Sequence, residues 1–333
     1  MDTADIRELA EQISAGDRRS LARGITLVES TRQDHREQAN TLLEILTPKT
    51  GDAIRLGITG VPGVGKSTFI EAFGNHLIDL GHRVAVLAVD PSSSISGGSI
   101  LGDKTRMERL TRRSESYIRP SPAGKTLGGV ARRTRETMML CEAAGYDIVI
   151  VETVGVGQSE TMVSEMTDMF MLLLLPGGGD ELQGMKRGIT ELADLILVNK
   201  ADGDQKKLAN HTVSDYRSAV HFLPRKHQSW TARVTSCSAL GNDGILDTWE
   251  TIQEFVSALK ESGEWDARRS RQALDWMWRE TSESLIVDLK SHPAIAKALP
   301  AFESAVTSGE KPPTVAAIEL VKLYKQSSES ITL

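Results

Sequence analysis

Gly60-Val61-Pro62-Gly63-Val64-Gly65-Lys66-Ser67-Thr68 decides the fold because of its flanks: the apolar run IRLGIT at 54–59 leads in, and the amphipathic run FIEAFGNHLIDLG at 69–81 leads out. Strand, glycine-rich loop and helix in that order form a cradle for phosphate. The glycines let successive backbone N–H groups converge, and the helix N-terminus adds partial positive charge. Gly63, Val64, Gly65, Lys66, Ser67 and Thr68 are the expected phosphate contacts, with Lys66 reaching the terminal phosphates and Ser67 placed to ligate Mg2+.

A phosphate cradle leaves the base open. Asn199-Lys200-Ala201-Asp202 closes an apolar strand, and Ser236-Cys237-Ser238-Ala239-Leu240 closes the next. The Asp202 carboxylate matches the paired N1–H and 2-amino donors of guanine, which adenine lacks; the Lys200 stem covers the base and Asn199 braces the loops. A backbone N–H of the Ser238-Ala239-Leu240 turn is expected at guanine O6. The four-residue motif read alone is also a helix-capping turn, and it is the second loop that favours guanine.

Hydrolysis needs carboxylates near the terminal phosphate. Glu152 ends the strand DIVIVE and opens Glu152-Thr153-Val154-Gly155, the form of a nucleotide switch with Glu in place of Asp and with the Gly155 N–H expected at the γ-phosphate. Val156 stands where a Ras-like enzyme keeps its water-positioning Gln, and Gln158 comes two residues later, so slow unassisted hydrolysis is expected. Asp90, at the end of the run RVAVLAV, and Asp103, after a Ser/Gly-rich stretch, are further candidates; helix capping is the alternative for each. The arginines at 132, 133 and 135 read as a solvated helix face.

Working outward, β-type runs at 54–59, 83–89, 147–152, 169–175, 194–199 and 232–236 alternate with helical stretches, and several are apolar on successive residues. Such strands belong to a mostly parallel sheet covered on both faces, an α/β layered domain. Residues 5–46 read as helices, with Gly16 a stop and Asp17 a cap, and helical periodicity returns beyond Gly263. The expected division is a helical extension over 1–50, the phosphate-binding domain over 51–262 and a second helical extension over 263–333. The last carries Trp265, Trp276 and Trp278, an apolar load that must pack either on the sheet domain or on a second copy of the chain.

The 333 residues are 40% hydrophobic and 25% charged, with Lys+Arg 39 against Asp+Glu 45 and a net charge of -6. That balance offers no field for a nucleic-acid backbone or an anionic membrane. The longest apolar run, 169–176, is far short of the ~20 residues that span a bilayer. Two unpaired cysteines, Cys141 and Cys237, and an acidic N-terminus without a signal pattern point to a cytoplasmic protein with buried thiols.

Together these residues resemble the MeaB/MMAA/ArgK family of P-loop GTPases, chaperones associated with methylmalonyl-CoA mutase, within the SIMIBI class that also holds the hydrogenase and urease metallochaperones. The likeness covers roughly 55–245 and includes VLAVDPSSSISGGSILGDKTRM (86–107), VETVGVGQSE (151–160) and GGDELQGMKRGITELAD (178–194). It implies GTP/GDP and Mg2+ as cofactors, with Ser67, Asp90, Asp103 and Glu152 around the metal and Lys66, Asp90, Glu152 and Gly155 in catalysis. It further implies a mobile loop over 176–188, homodimerisation through the C-terminal helices, and gating of adenosylcobalamin loading and protection of the mutase. Ser121-Pro122-Ala123-Gly124-Lys125 departs from the family's Ser-Pro-x-Arg-Gly, so no arginine role transfers there. A nickel metallochaperone would need Cys/His ligands that the two cysteines and seven histidines do not supply, and a kinase linked to amino-acid transport would need ATP and an acceptor pocket.

Overall fold

A computed structural model of the chain describes residues 2–89, 107–120, 127–153, 159–177 and 187–329. Three helices come first: α1 (Thr3–Ser14), α2 (Arg18–Glu29) and α3 (Gln33–Leu46). Asp2 and Asp5 form a reciprocal cap on α1, and the Asp17 carboxylate accepts from Ser20 N at 2.7 Å to start α2 just after Gly16. There follow β1 (Ile54–Gly60), α4 (Lys66–Asp79), β2 (Val84–Val89), α5 (Glu108–Arg112), β3 (Ser116–Arg119), α6 (Leu127–Ala143), β4 (Ile148–Thr153) and α7 (Ser159–Met166). Next come β5 (Met169–Leu174), α8 (Arg187–Leu192), β6 (Leu195–Val198), α9 (Lys206–Val220), β7 (Arg233–Ser236) and α10 (Ile245–Ser262). The chain closes on α11 (Glu264–Ser291), α12 (Pro293–Thr307) and α13 (Pro313–Glu329).

Among the described residues the strands form one seven-stranded sheet in the order β3-β2-β4-β1-β5-β6-β7, and every pairing is parallel. The successive apolar residues of the strands are explained by what covers them. Leu56, Ile58, Ile148, Ile150 and Met171 face a layer with Phe69 and Phe73 of α4 and Phe255 of α10. Val149, Val151 and Phe170 face the opposite layer, built from α1–α3, α6 and α7 through Ile13, Ile25, Leu42, Leu140 and Val163. Strand β3 is absent from the sequence expectation: four residues, Ser-Tyr-Ile-Arg, between a charged stretch and Pro120, carry too little pattern to stand apart from a loop.

Parallel strands put all their C-terminal ends on one edge, where ligands of open α/β sheets bind. The other edge is tied by charge. Asp168 accepts from Arg55 N at 2.8 Å and is clasped by Arg269, whose Nε and Nη2 lie 2.8 and 2.6 Å from its two oxygens. Arg55 in turn pairs with Glu142 at 2.6 Å. Asp194, fully buried, accepts from Phe170 N and Lys226 Nζ, each at 2.9 Å or less, and meets His227 Nε2 at 3.1 Å. Burial alone pushes the Asp194 carboxyl up, but Lys226, His227 and Arg268 outweigh it and hold it at about 2.

The arginines of α6 do not form a solvated face. Arg135 is buried, and Arg132 lies 3.3 Å from the buried Glu136, which Arg36 of α3 reaches at 2.5 Å, because the N-terminal helices cover this side. Cys141 and Cys237 are both buried free thiols, and burial pushes both up, Cys237 to about 12.

The chain divides into two compact units, residues 1–269 and 270–333, with α1–α3 inside the first. In the second, Ile295 and Ala316 are buried, His292 meets the Tyr324 ring edge-on at 5.4 Å, and Lys311 pairs with Glu319 at 2.5 Å. No described helix is long and apolar enough to cross a membrane.

Candidate nucleotide site

At the C-terminal edge β1 runs into the glycine-rich loop. Gly60, at φ 154°, leaves no room for a side chain: a Cβ would sit 2.6 Å from Leu173 O. Gly65 caps α4 at φ 93°, and a Cβ there would lie 2.8 Å from Asn199 Nδ2. Only glycine satisfies both the backbone and the contact. The Lys66 side chain is buried against the loop, donating from Nζ to Gly60 O at 2.7 Å, with Val61 O at 3.4 Å. Its ammonium therefore lies beside the backbone that curls around the phosphate position.

Ser67 opens α4 with its hydroxyl toward the end of β4, and Ser67 Oγ donates to Glu152 Oε1 at 3.3 Å. Two hard oxygen donors at this separation suit Mg2+, since neighbouring ligands of an octahedral ion with 2.0–2.1 Å bonds are about 2.9 Å apart. Glu152 and Ser67 share the α4 face of the sheet because side chains alternate along β4, and Ile148 and Ile150 point the same way.

The loops expected to read the base lie at the ends of β6 and β7, which pair through Val198 and Ser236. Asn199 braces three segments: its Nδ2 donates to Val64 O at 3.0 Å, while its Oδ1 accepts from Ala239 N at 3.1 Å and from Cys237 Sγ at 3.4 Å. Lys200 sits at φ 59°, a left-handed conformation unusual for a side-chain-bearing residue, and its Nζ donates to Gly63 O at 2.8 Å. The lysine stem thus spans from the base loop to the phosphate loop. Ser238 Oγ donates to the Asp202 carboxylate and accepts from Gly241 N at 3.0 Å, so the acid is held at the edge where a base would present its donors. Leu240 projects outward, beside a groove of ≈ 400 Å³ that runs from Thr68 between α4 and residues 239–246.

Of the expected site, Gly63, Val64, Gly65, Lys66, Ser67 and Thr68, Glu152, Asn199, Lys200 and Asp202, and Ser238, Ala239 and Leu240 all lie along this edge. Asp90, Asp103 and Gly155, with Val156, Gln158 and residues 178–186, fall outside the described residues. The Ala239 N–H, a natural candidate for guanine O6, is taken up by Asn199. The sequence marks Cys237 only as a buried thiol; its donation to Asn199 depends on β6 and β7 being neighbours, which the local sequence does not reveal.

Comparison with known proteins agrees with this geometry. The family model for the methylmalonyl-CoA mutase-associated GTPase MeaB matches residues 21–294. A Caulobacter vibrioides relative is 54% identical over 96% of this chain and 98% of its own. The GTPase ArgK of Escherichia coli is 50% identical over 86% of each chain. A solved structure described as an LAO/AO transport system kinase superposes with a TM-score of 0.77 at 39% identity, covering 98% of this chain and 99% of that one. With an intact phosphate loop, a guanine-type bracket and near full-length kinship all present, the chain belongs to the MeaB family of GTPases.

Proposed function

We propose that this GTPase gates the loading of adenosylcobalamin into methylmalonyl-CoA mutase and protects that enzyme, acting in the cytoplasm as a homodimer. The observation that carries the reading is the match of residues 21–294 to a family defined by its association with the mutase. Within the cycle, the backbone N–H groups of 63–68 and Lys66 hold the β- and γ-phosphates, and Asp202, braced by Ser238, selects guanine. Ser67 and Glu152, with Asp90 and Asp103 by family likeness, would hold Mg2+, which would neutralise charge on the phosphates. The Gly155 N–H meets the γ-phosphate and ties the state of residues 154–158 to the nucleotide.

A mutase that prefers the GTP form must raise GTP affinity relative to GDP by the same factor. The test is GTP turnover with and without purified methylmalonyl-CoA mutase. Stimulation is expected, and an unchanged rate at saturating mutase overturns the partner. The kinase description of the structural relative motivates one alternative, phosphoryl transfer from ATP to an acceptor. Calorimetry with ATP and GTP separates the two, because the base-reading loops favour GTP strongly and a kinase of that type requires ATP.

A further inference from the structure

We infer that Thr153, through a buried hydroxyl bridge to Thr59, is a positioning residue that sets the distance between Glu152 and Ser67 and so tunes the metal site. This rests on the reading of Glu152 and Ser67 as the Mg2+ neighbourhood. The argument starts from the way the sheet ends. Strand β1 is paired to β5 as far as Gly60 with Leu173, and β4 is paired to β2 as far as Val89 with Thr153. Between β1 and β4 the last backbone pair is Ile58 with Glu152, two residues earlier on β1 and one on β4. Each strand is therefore secured by its outer neighbour, while the seam between them loses its ladder just where the chain leaves for the phosphate loop on one side and for residues 154–158 on the other.

The helices that follow the two strands also lie on opposite faces of the sheet. The loop after β1 enters α4, and the segment after β4 leads to α7 on the other layer. Such a divergence opens the ligand crevice of an open α/β sheet, and nothing in the backbone ladder limits how far it opens. Thr153 Oγ1 donates to Thr59 Oγ1 at 2.8 Å across this seam, and both residues are 1% exposed. Water has no access to substitute for the bond. Glu152 is the residue immediately before Thr153, and its carboxylate points to the α4 face while the hydroxyl bridge lies on the α7 face. The bridge thus pins the backbone from behind at the point where the carboxylate leaves it. A metal that demands near-ideal octahedral geometry is sensitive to small changes in the 3.3 Å separation of Ser67 Oγ and Glu152 Oε1.

Two threonines in adjacent strands also suit a purely structural role, as β-branched residues in a core. The two roles part on the metal. The proteins to compare are wild type, Thr153→Val, Thr153→Ser, the double Thr59→Val/Thr153→Val and Glu152→Ala. Readouts are Mg2+ affinity of the complex with a non-hydrolysable GTP analogue by calorimetry, GDP affinity in EDTA, and thermal unfolding. Thr153→Val and the double are expected to weaken Mg2+ by about three- to tenfold, the scale of one net hydrogen bond, with GDP affinity in EDTA unchanged. Thr153→Ser should restore the wild-type value. The double leaves no hydroxyl stranded, so it carries the test if Thr153→Val does not fold. Wild-type Mg2+ affinity in the folded double, or Thr153→Ser as weak as Thr153→Val, overturns the role of the bridge. Should Glu152→Ala also bind Mg2+ normally, the metal reading of Glu152 falls with it; a strong loss in Glu152→Ala alone removes only the bridge.

Discussion

The Asp202 carboxylate, which we assign to the base, accepts a hydrogen bond from Ser238, and that contact sharpens what a single atom change should do. In Asp202→Asn the side-chain amide presents a donor where guanine presents N1–H, while xanthine offers a carbonyl in place of the 2-amino group. GTP affinity should fall by several powers of ten, within the ~10^4–10^5 that a hydrogen-bonding pocket can discriminate, and xanthosine triphosphate should bind better than GTP. Calorimetry with both nucleotides on both proteins checks this, and retained GTP preference in the variant refutes the role of Asp202. Residues such as Lys66, Asn199 and Asp202 were legible because their chemistry is written in contiguous motifs. Thr153 and the Cys237 thiol were not, because each acts on a partner that only the strand order brings near. The burial of Arg135 is hidden from the sequence for the same reason, since a helix face is solvated only if no other helix covers it.

At the scale of elements, the six strands other than β3 are legible as β-type runs, whereas the order in which they pair has no local signal. The Asp194 knot shows what holds that order on the β5–β6 side: one carboxylate joins the start of β5, the turn into β6 and the segment around Lys226 and His227. Removing its charge weakens the hydrogen bonds from Phe170 N, Lys226 and His227, so Asp194→Asn should lose about 2 kcal/mol at neutral pH. The sign of the pH effect follows from the depressed carboxyl, held at about 2 against an unfolded value near 3.8. The stabilisation is fully present above the unfolded value and is lost as pH falls from about 4 through 2. Denaturant midpoints measured from pH 7 to pH 2 should therefore fall more steeply over that window in the wild type than in Asp194→Asn. Parallel curves would remove Asp194 from the acid limb.

For the whole molecule, the second unit raises the question of what its apolar surface meets. Leu274, Met277, Trp278 and Leu285 recur at helical spacing along α11 and are exposed, Trp278 by 65%. We place a homodimer contact on this stripe, since large exposed apolar groups at regular spacing mark an association surface. Trp278→Glu should weaken self-association by about thirty-fold or more, the scale of an interface anchor, while leaving GTP affinity intact. Light scattering over a concentration series decides it: a monomeric wild type, or an equally dimeric variant, overturns the contact. The interiors chosen for both thiols have a practical corollary. Cys141 and Cys237 are the chain's two cysteines, both sealed from solvent and both held in the unreactive protonated form. Alkylating reagents should leave the folded protein unmodified and its turnover intact, so a cysteine introduced on the outside of α11 would carry a spin or fluorescent label alone, with neither natural thiol first removed.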